Sequence, residues 1–117
     1  LTALCHALGI ERVTVVDPYN LKDTEKVLKE ETAYPGPSVI ISRRPCALLK
    51  EFIRANNGRH CEVNRDKCVG CRQCMKIACP ALSFADGKAM VSDTASCTGC
   101  GLCQQMCRVG AIEKVGG

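Results

Sequence analysis

Two short runs in the second half of this 117-residue chain contain most of its 11 cysteines. The first run reads CVGCRQCMKIACP from Cys68 to Pro80, and the second reads CTGCGLCQQMCR from Cys97 to Arg108. Thiolates separated by two residues converge on one inorganic core from a single tight loop, and a fourth ligand then comes from farther along the chain. The spacing therefore indicates two sites at which sulfur binds metal.

The two runs repeat one another, because the first three cysteines of one lie 29 residues before the first three of the other. In the two-cluster [4Fe-4S] pattern, the fourth cysteine of each run binds the other cluster. We therefore predict two [4Fe-4S] clusters with exchanged fourth ligands. The first predicted set is Cys68, Cys71, Cys74 and Cys107, and the second is Cys97, Cys100, Cys103 and Cys79.

The runs depart from that pattern at two points. The first run has one extra residue before Cys79, which we expect to bulge the loop without changing the ligand. The second run has Arg108 after Cys107, where the pattern has proline. Positive charge beside a ligand stabilises the more negative, reduced cluster. We therefore expect Arg108 to raise the potential of the cluster bound through Cys107.

Disulfides and zinc are the other common uses of many cysteines. The chain shows no secretory signal and its cysteine count is odd, so a disulfide framework is not expected. Zinc sites usually pair one CxxC with a second at a distance, and a tight third cysteine is unusual for them. A structural module with two four-cysteine zinc sites remains the alternative. We interpret the remaining cysteines and the histidines as structural or solvated: Cys5, Cys46, Cys61, His6 and His60.

Residues 1–57 have the pattern of an ordinary α/β protein. A helix is predicted over residues 1–8 and strands over 12–16 and 38–42, with an amphipathic helix capped by Asn20 between the strands. Strand, helix and strand in this order form a βαβ unit of a parallel sheet. Because one unit cannot make a sheet, we expect the first half to be the end of a larger α/β domain. A further helix is predicted from Cys46 to Asn56.

Residues 58–117 have a different composition, with short strands, glycines and cysteines. We predict a small α+β two-[4Fe-4S] ferredoxin-like domain here. Its two halves are expected to be joined by a hairpin over residues 83–91, with Asp86 and Gly87 at the turn.

Other classes of function receive little support. A net charge of +4 is too small to indicate nucleic-acid binding, and no stretch approaches the ~20 apolar residues of a membrane span. No phosphate-binding loop and no catalytic nucleophile, acid or base is recognisable. The chain starts at Leu1 rather than Met, so we expect a piece of a longer protein. Because no secretory signal is visible, we expect that protein to be cytoplasmic. Basic residues near the clusters either solvate that surface or dock an acidic partner: Arg65, Lys67, Arg72 and Lys76.

Residues 61–117 resemble a bacterial-type two-cluster ferredoxin domain. Three stretches, in order, are similar to the C-terminal end of indolepyruvate ferredoxin oxidoreductase alpha subunits: HALGIERVTVVDPYNL, YPGPSVIISRRPCALL and CEVNRDKCVGCRQC. This second resemblance covers essentially the whole chain.

The resemblance implies an enzyme that decarboxylates an aryl pyruvate on thiamine diphosphate and transfers the acyl unit to coenzyme A. The clusters would pass the electrons to an external ferredoxin, and a beta subunit would complete the enzyme. Residues 1–57 would end the thiamine-diphosphate domain. The family's G-D-G motif is absent, so this chain alone is not expected to bind thiamine diphosphate and Mg²⁺. A ferredoxin-like carrier, or a module of another iron-sulfur enzyme, remains the alternative.

Overall fold

A computed structural model describes residues 1–116 and divides into two compact units, one of Leu1–Arg44 and one that begins at Pro45. The first unit consists of α1 Thr2–Ala7, β1 Arg12–Val16, α2 Leu21–Ala33 and β2 Ser38–Ser42. The second consists of α3 Lys50–Asn56, β3 His60–Val63, the 3-10 helix η1 Gln73–Ile77, β4 Leu82–Ala85, β5 Lys88–Val91, α4 Leu102–Met106 and β6 Ile112–Val115. Among these helices, none is long and apolar enough to cross a membrane.

The strands of the first unit lie side by side in parallel, with Arg12 opposite Ser38 and Val16 opposite Ser42. Their β-branched side chains favour extended backbone, and α2 supplies the crossover that a parallel pair requires. The helix begins after Asn20, whose side chain accepts a hydrogen bond from the backbone N–H of Asp23 at 3.3 Å. The predicted cap is therefore present.

A buried carboxylate joins α2 to both strands of the first unit. The side chain of Glu31 is 6% exposed, and it accepts hydrogen bonds from Arg12 Nε at 2.8 Å and Thr14 Oγ1 at 3.3 Å. The bond from Arg12 is the largest cause of a lowered pKa for Glu31, against the opposing effect of burial, and Ser38 contributes a further bond. The ionised carboxylate thus fixes one face of α2 against the strands.

The helix predicted to begin at Cys46 begins only at Lys50. The Leu49 N–H donates to the Cys46 carbonyl at 3.1 Å, which closes a separate turn, and Leu49 itself has extended backbone. The apolar stretch before Lys50 has helical periodicity, so the sequence pattern predicts helix where the structure has this turn. The chain divides into its two compact units between Arg44 and Pro45, so α3 lies in the second unit. The domain boundary at 57/58 stays a prediction.

Two antiparallel strand pairs form the framework of the second unit. β3 pairs with β6, so His60 lies opposite Val115, although both cysteine runs lie between these two residues in the sequence. β4 and β5 form the predicted hairpin, and the φ angles of Asp86 and Gly87 are 52° and 73°. Positive φ at both turn residues is what a type I′ hairpin turn needs. The predicted hairpin is therefore confirmed.

Small and sulfur-containing side chains make up the core of the second unit. Its buried members are Cys61, Cys74, Leu82, Ala89, Cys103 and Ile112. Since half of these are cysteines, the residues that hold the unit together are also those that line its candidate site.

Candidate metal centre

Four cysteines line one pocket of the second unit. Cys68 and Cys71 lie on the loop before η1, Cys74 lies within η1, and Cys107 follows α4 in the other half of the repeat. The remaining wall is mainly apolar and includes Val63, Phe84, Ala89 and Ile112. The structure thus brings together the four residues predicted for the first cluster.

Another four cysteines line a second pocket. Cys97 and Cys100 lie on the loop before α4, Cys103 lies within α4, and Cys79 follows η1. Apolar side chains again complete the wall, including Ala81, Leu82, Val91 and Leu102. α4 and η1 pack against each other, so the cysteine that follows each short helix lies in the opposite pocket. The predicted second set is also brought together.

A fifth cysteine, Cys61 of β3, lines the second pocket. From the sequence alone, Cys61 is interpreted as structural or solvated. Cys5 lies on α1 in the first unit, and Cys46 is exposed before α3. Neither of those two lines either pocket.

Glycine allows both cysteine loops to pass close to neighbouring backbone. A Cβ added to Gly70 would overlap the carbonyl oxygen of Gly87, and one added to Gly99 would lie 2.7 Å from the carbonyl oxygen of Arg59. Both glycines also have positive φ, 69° and 62°. The second residue after the first cysteine of each run is therefore glycine for two physical reasons: its φ and its close backbone contact.

Backbone N–H groups point at the cysteine sulfurs. The N–H of Cys61 donates to Cys97 Sγ, and that of Ala111 donates to Cys107 Sγ, each at 3.2 Å. The N–H groups of Gly70 and Ala89 bond to Cys68 and lower the pKa of its thiol. Such donors stabilise negative charge on sulfur and are one of the means by which a protein sets cluster potentials.

Burial has the opposite effect on the deepest cysteines. It raises the pKa of Cys74, and it raises that of Cys103 to about 12. A buried thiol without metal is therefore neutral at pH 7, whereas coordination to a metal removes its proton. Metal binding at these positions is consequently coupled to proton release.

The donor chemistry of both pockets fits a [4Fe-4S] cluster, since four thiols, directed N–H groups and glycine-closed loops are its usual protein environment. Within residues 1–116, no three His, Cys, Asp or Glu side chains are grouped closely enough to hold a single metal ion.

Most of the predicted basic rim is engaged with neighbouring side chains. Arg65 lies 3.5 Å from Asp86, and Lys67 lies 3.1 Å from Glu113. The guanidinium of Arg72 stacks over the Phe84 ring at 4.3 Å from its centroid. These partners favour the interpretation that the rim solvates the cluster surface.

The two histidines lie outside the pockets. His6 Nδ1 is 3.0 Å from the Ile10 carbonyl, and the His60 ring nitrogens are within 3.1 Å of the Gly58 carbonyl and 3.2 Å of Glu62. These contacts agree with packed or solvated side chains.

Comparison with known proteins supports the iron-sulfur interpretation. A family model described as a 4Fe-4S binding domain matches residues 90–113, which contain the second cysteine run through Cys107. "Indolepyruvate oxidoreductase subunit IorA" of Pyrococcus horikoshii is 39% identical over 117 residues, which cover 96% of this chain. The proteins of the same name in Methanothermobacter thermautotrophicus and Archaeoglobus fulgidus are 35% and 38% identical, over 97% and 90% of the chain.

The chain spans less than a fifth of these relatives' own lengths: 18%, 18% and 17% in the same order. The similarity lies in the C-terminal part of the relatives. It includes both the parallel strand pair and the cysteine runs, because it covers nearly the whole chain. The chain is therefore a homologue of the C-terminal part of indolepyruvate oxidoreductase subunit IorA and carries a 4Fe-4S binding domain.

Proposed function

We propose that this chain is the electron-transfer module of a 2-oxoacid oxidoreductase and that it holds two [4Fe-4S] clusters. The observation that carries the proposal is the composition of the two pockets, each lined by three cysteines of one run and the last cysteine of the other. The proposed ligands are Cys68, Cys71, Cys74 and Cys107 for the first cluster, and Cys97, Cys100, Cys103 and Cys79 for the second.

When bound, such clusters accept and release one electron at a time. The chain's own residues bind them through sulfur, exclude water with apolar walls and direct N–H groups at Cys68, Cys97 and Cys107. Because the two pockets exchange their fourth cysteines, one compact unit would keep both clusters close together. An electron could then pass from one to the other without leaving the unit.

We further propose that the first unit ends a thiamine-diphosphate domain and belongs to a larger parallel sheet. Large apolar side chains on it are exposed, as expected for a surface covered by more protein: Leu4, Leu8, Val15 and Leu28 are 57%, 72%, 48% and 48% exposed. Thiamine diphosphate and Mg²⁺ would bind elsewhere in the parent subunit. The parent enzyme would act in the cytoplasm on an aryl pyruvate such as indolepyruvate, with a beta subunit and an external ferredoxin as partners.

Metal analysis of the anaerobically prepared chain tests this proposal. We expect about eight iron and eight acid-labile sulfide per chain, as two [4Fe-4S] clusters contain. About two zinc without sulfide would overturn the redox function and support two structural zinc sites instead. Cys107→Ala should lose about half of the iron, while the matched control Cys5→Ala in the first unit should retain all of it.

A further inference from the structure

The residues that directly follow the proposed ligands differ between the two sites. Those of the first site include two arginines: Val69, Arg72, Met75 and Arg108. Those at the matching positions of the second site carry no charge: Thr98, Gly101, Gln104 and Pro80. Because the positions are equivalent in the internal repeat, the difference distinguishes two otherwise similar sites.

The first site also reaches the surface to a greater extent. Cys71 is exposed, whereas the equivalent Cys100 of the second site is half-buried. Val69 and Val109 line the first pocket and are 68% and 43% exposed. One ligand of the first site is therefore accessible beside apolar side chains that nothing in its own unit covers fully.

Arg72 and Arg108 supply positive charge at the same place. Arg72 lines the first pocket, and Arg108 is exposed between Cys107 and Val109, which both line it. Within residues 1–116, neither arginine forms an ion pair. Their charges are thus available to a partner.

The contact of Arg72 with Phe84 does not use up its hydrogen-bonding capacity. The guanidinium stacks by its face at 4.3 Å from the ring centroid, so the N–H groups at its edge remain available to carboxylates. Arg65 and Lys67 differ, since each already has a carboxylate partner, at 3.5 Å and 3.1 Å. The solvating interpretation of the basic rim therefore holds for those two residues but not for Arg72.

We propose that Val69, Cys71, Arg72, Arg108 and Val109 form a docking face for an acidic one-electron carrier protein, and that electrons leave the module through the first cluster. The inference rests on the proposed function, because it requires a cluster in the first pocket. At each encounter one electron passes from the reduced cluster to the oxidised carrier. The cluster is oxidised, the carrier is reduced, and no bond or proton moves.

Charge complementarity is the reason for an acidic partner. A cluster with four thiolates is negatively charged and would by itself repel an acidic protein. Two guanidiniums beside its ligands offset this repulsion at the point of approach. Exposed valines next to arginines also match the usual composition of a protein interface, which has an apolar centre and a polar rim.

Binding of a purified ferredoxin of net negative charge tests the inference on the 117-residue chain, with its iron content measured beforehand. Val69→Glu places a negative charge in the docking face, so the dissociation constant should rise about tenfold or more, since like charges at an interface are strongly unfavourable. Thr98→Glu makes the same change at the equivalent position of the second loop. This matched control should leave the dissociation constant unchanged.

Arg72→Gln tests the charge itself and decides the matter if Val69→Glu loses iron. It should weaken binding and reduce the dependence of the dissociation constant on sodium chloride concentration, because one charge pair fewer is screened. Cytochrome c, a basic one-electron carrier, is the control for the partner, and Arg72→Gln should not weaken its binding. In stopped-flow mixing of the reduced chain with oxidised ferredoxin, the second-order rate constant should fall in Val69→Glu but not in Thr98→Glu.

Three results on chains with full iron would overturn the inference. The first is no binding of the ferredoxin to the unaltered chain, or unchanged binding in both Val69→Glu and Arg72→Gln. The second is equal weakening by Val69→Glu and Thr98→Glu, which would indicate general repulsion rather than a docking face. The third is greater weakening by Thr98→Glu, which would place the exit at the second cluster. Absence of iron and sulfide in the unaltered chain would instead refute the proposed function itself.

Discussion

Arg108 is exposed and directly follows Cys107, a proposed ligand of the first cluster. Arg108→Pro is expected to lower one of the two reduction potentials, because the reduced cluster loses a nearby positive charge. Potentials measured by redox titration with electron paramagnetic resonance detection would show the change. Because the guanidinium is exposed, the shift should become smaller as ionic strength rises.

Arg108→Gln separates charge from backbone effects, since it removes the charge without introducing a proline ring. We expect it to lower the same potential as Arg108→Pro. An unchanged potential in both variants, or a rise in either, would contradict a role for this charge.

The glycines of the cysteine loops give a second prediction at the level of single residues. Gly70→Ala and Gly99→Ala should each weaken one site, because the new Cβ meets backbone atoms that cannot move easily. Positive φ alone costs alanine about 1–2 kcal/mol. Release of iron to a chelator should therefore be faster in both variants and should concern about half of the iron.

Gly110 provides the matched control, since its φ is +63° but nothing lies within 4 Å of an added Cβ. Gly110→Ala is destabilised only by the positive φ of its backbone, so it should lose iron more slowly than the other two variants. Equal rates for all three would show that the close contacts of Gly70 and Gly99 do not matter.

Within the first unit, the contact of α2 with its strands depends on the ionised form of Glu31. The lowered pKa means that the stabilisation is complete above the unfolded value of about 4.3 and is lost as pH falls through the lower folded value. Glu31→Gln should therefore reduce hydrogen-exchange protection of the β1 and β2 amides at pH 7. At acid pH the variant and the unaltered chain should become similar.

Glu25 lies on the same helix but is exposed, and its partner Lys29 is exposed as well. Glu25→Gln should change protection little, because exposed ion pairs contribute little to stability. A larger loss in Glu25→Gln than in Glu31→Gln would refute the importance of the buried carboxylate.

Elements with local signals were predictable from the sequence. β1 and β2 are β-branched runs, Asn20 caps α2 through its own side chain, and Asp86-Gly87 specifies a tight turn. Each of these depends on a few neighbouring residues. The start of α3 was misplaced because the turn before it is closed by a backbone hydrogen bond, which leaves no mark on the side-chain pattern.

Long-range pairings had no comparable signal. The pairing of β3 with β6 joins residues at opposite ends of the second unit and was not predicted. It is this pairing that places Cys61 in β3 next to the last strand. The grouping of the eight candidate ligands was expected from their spacing alone, because the repeat is itself a long-range constraint. The position of Cys61 at the second pocket depends on the pairing of β3, so the spacing of the cysteine runs does not predict it.

At the scale of the molecule, iron removal should affect the two units differently. The second unit has cysteines in its core, so its folding is expected to be coupled to metal binding. Chelation of iron under anaerobic conditions should abolish hydrogen-exchange protection of the β3 and β6 amides. The amides of β1 and β2 should change little, since none of the first unit's residues lines either pocket.

Reconstitution of the apo-protein with iron and sulfide provides the control, because the hydrogen-exchange protection of the β3 and β6 amides should then return. Equal loss of protection in both units on chelation would contradict independent folding. Unchanged protection of β3 and β6 would show that the second unit folds without metal.

The pairing of His60 with Val115 also has a consequence for protein engineering. The polypeptide enters and leaves the region of the cysteine runs at neighbouring points, and Gly116 lies beside Gly58. A segment with adjacent ends can be inserted into a surface loop of a host protein without forcing the host's own ends apart. Residues 58–116 therefore have the end-to-end geometry of an insertable segment, which would carry its proposed clusters into an unrelated scaffold.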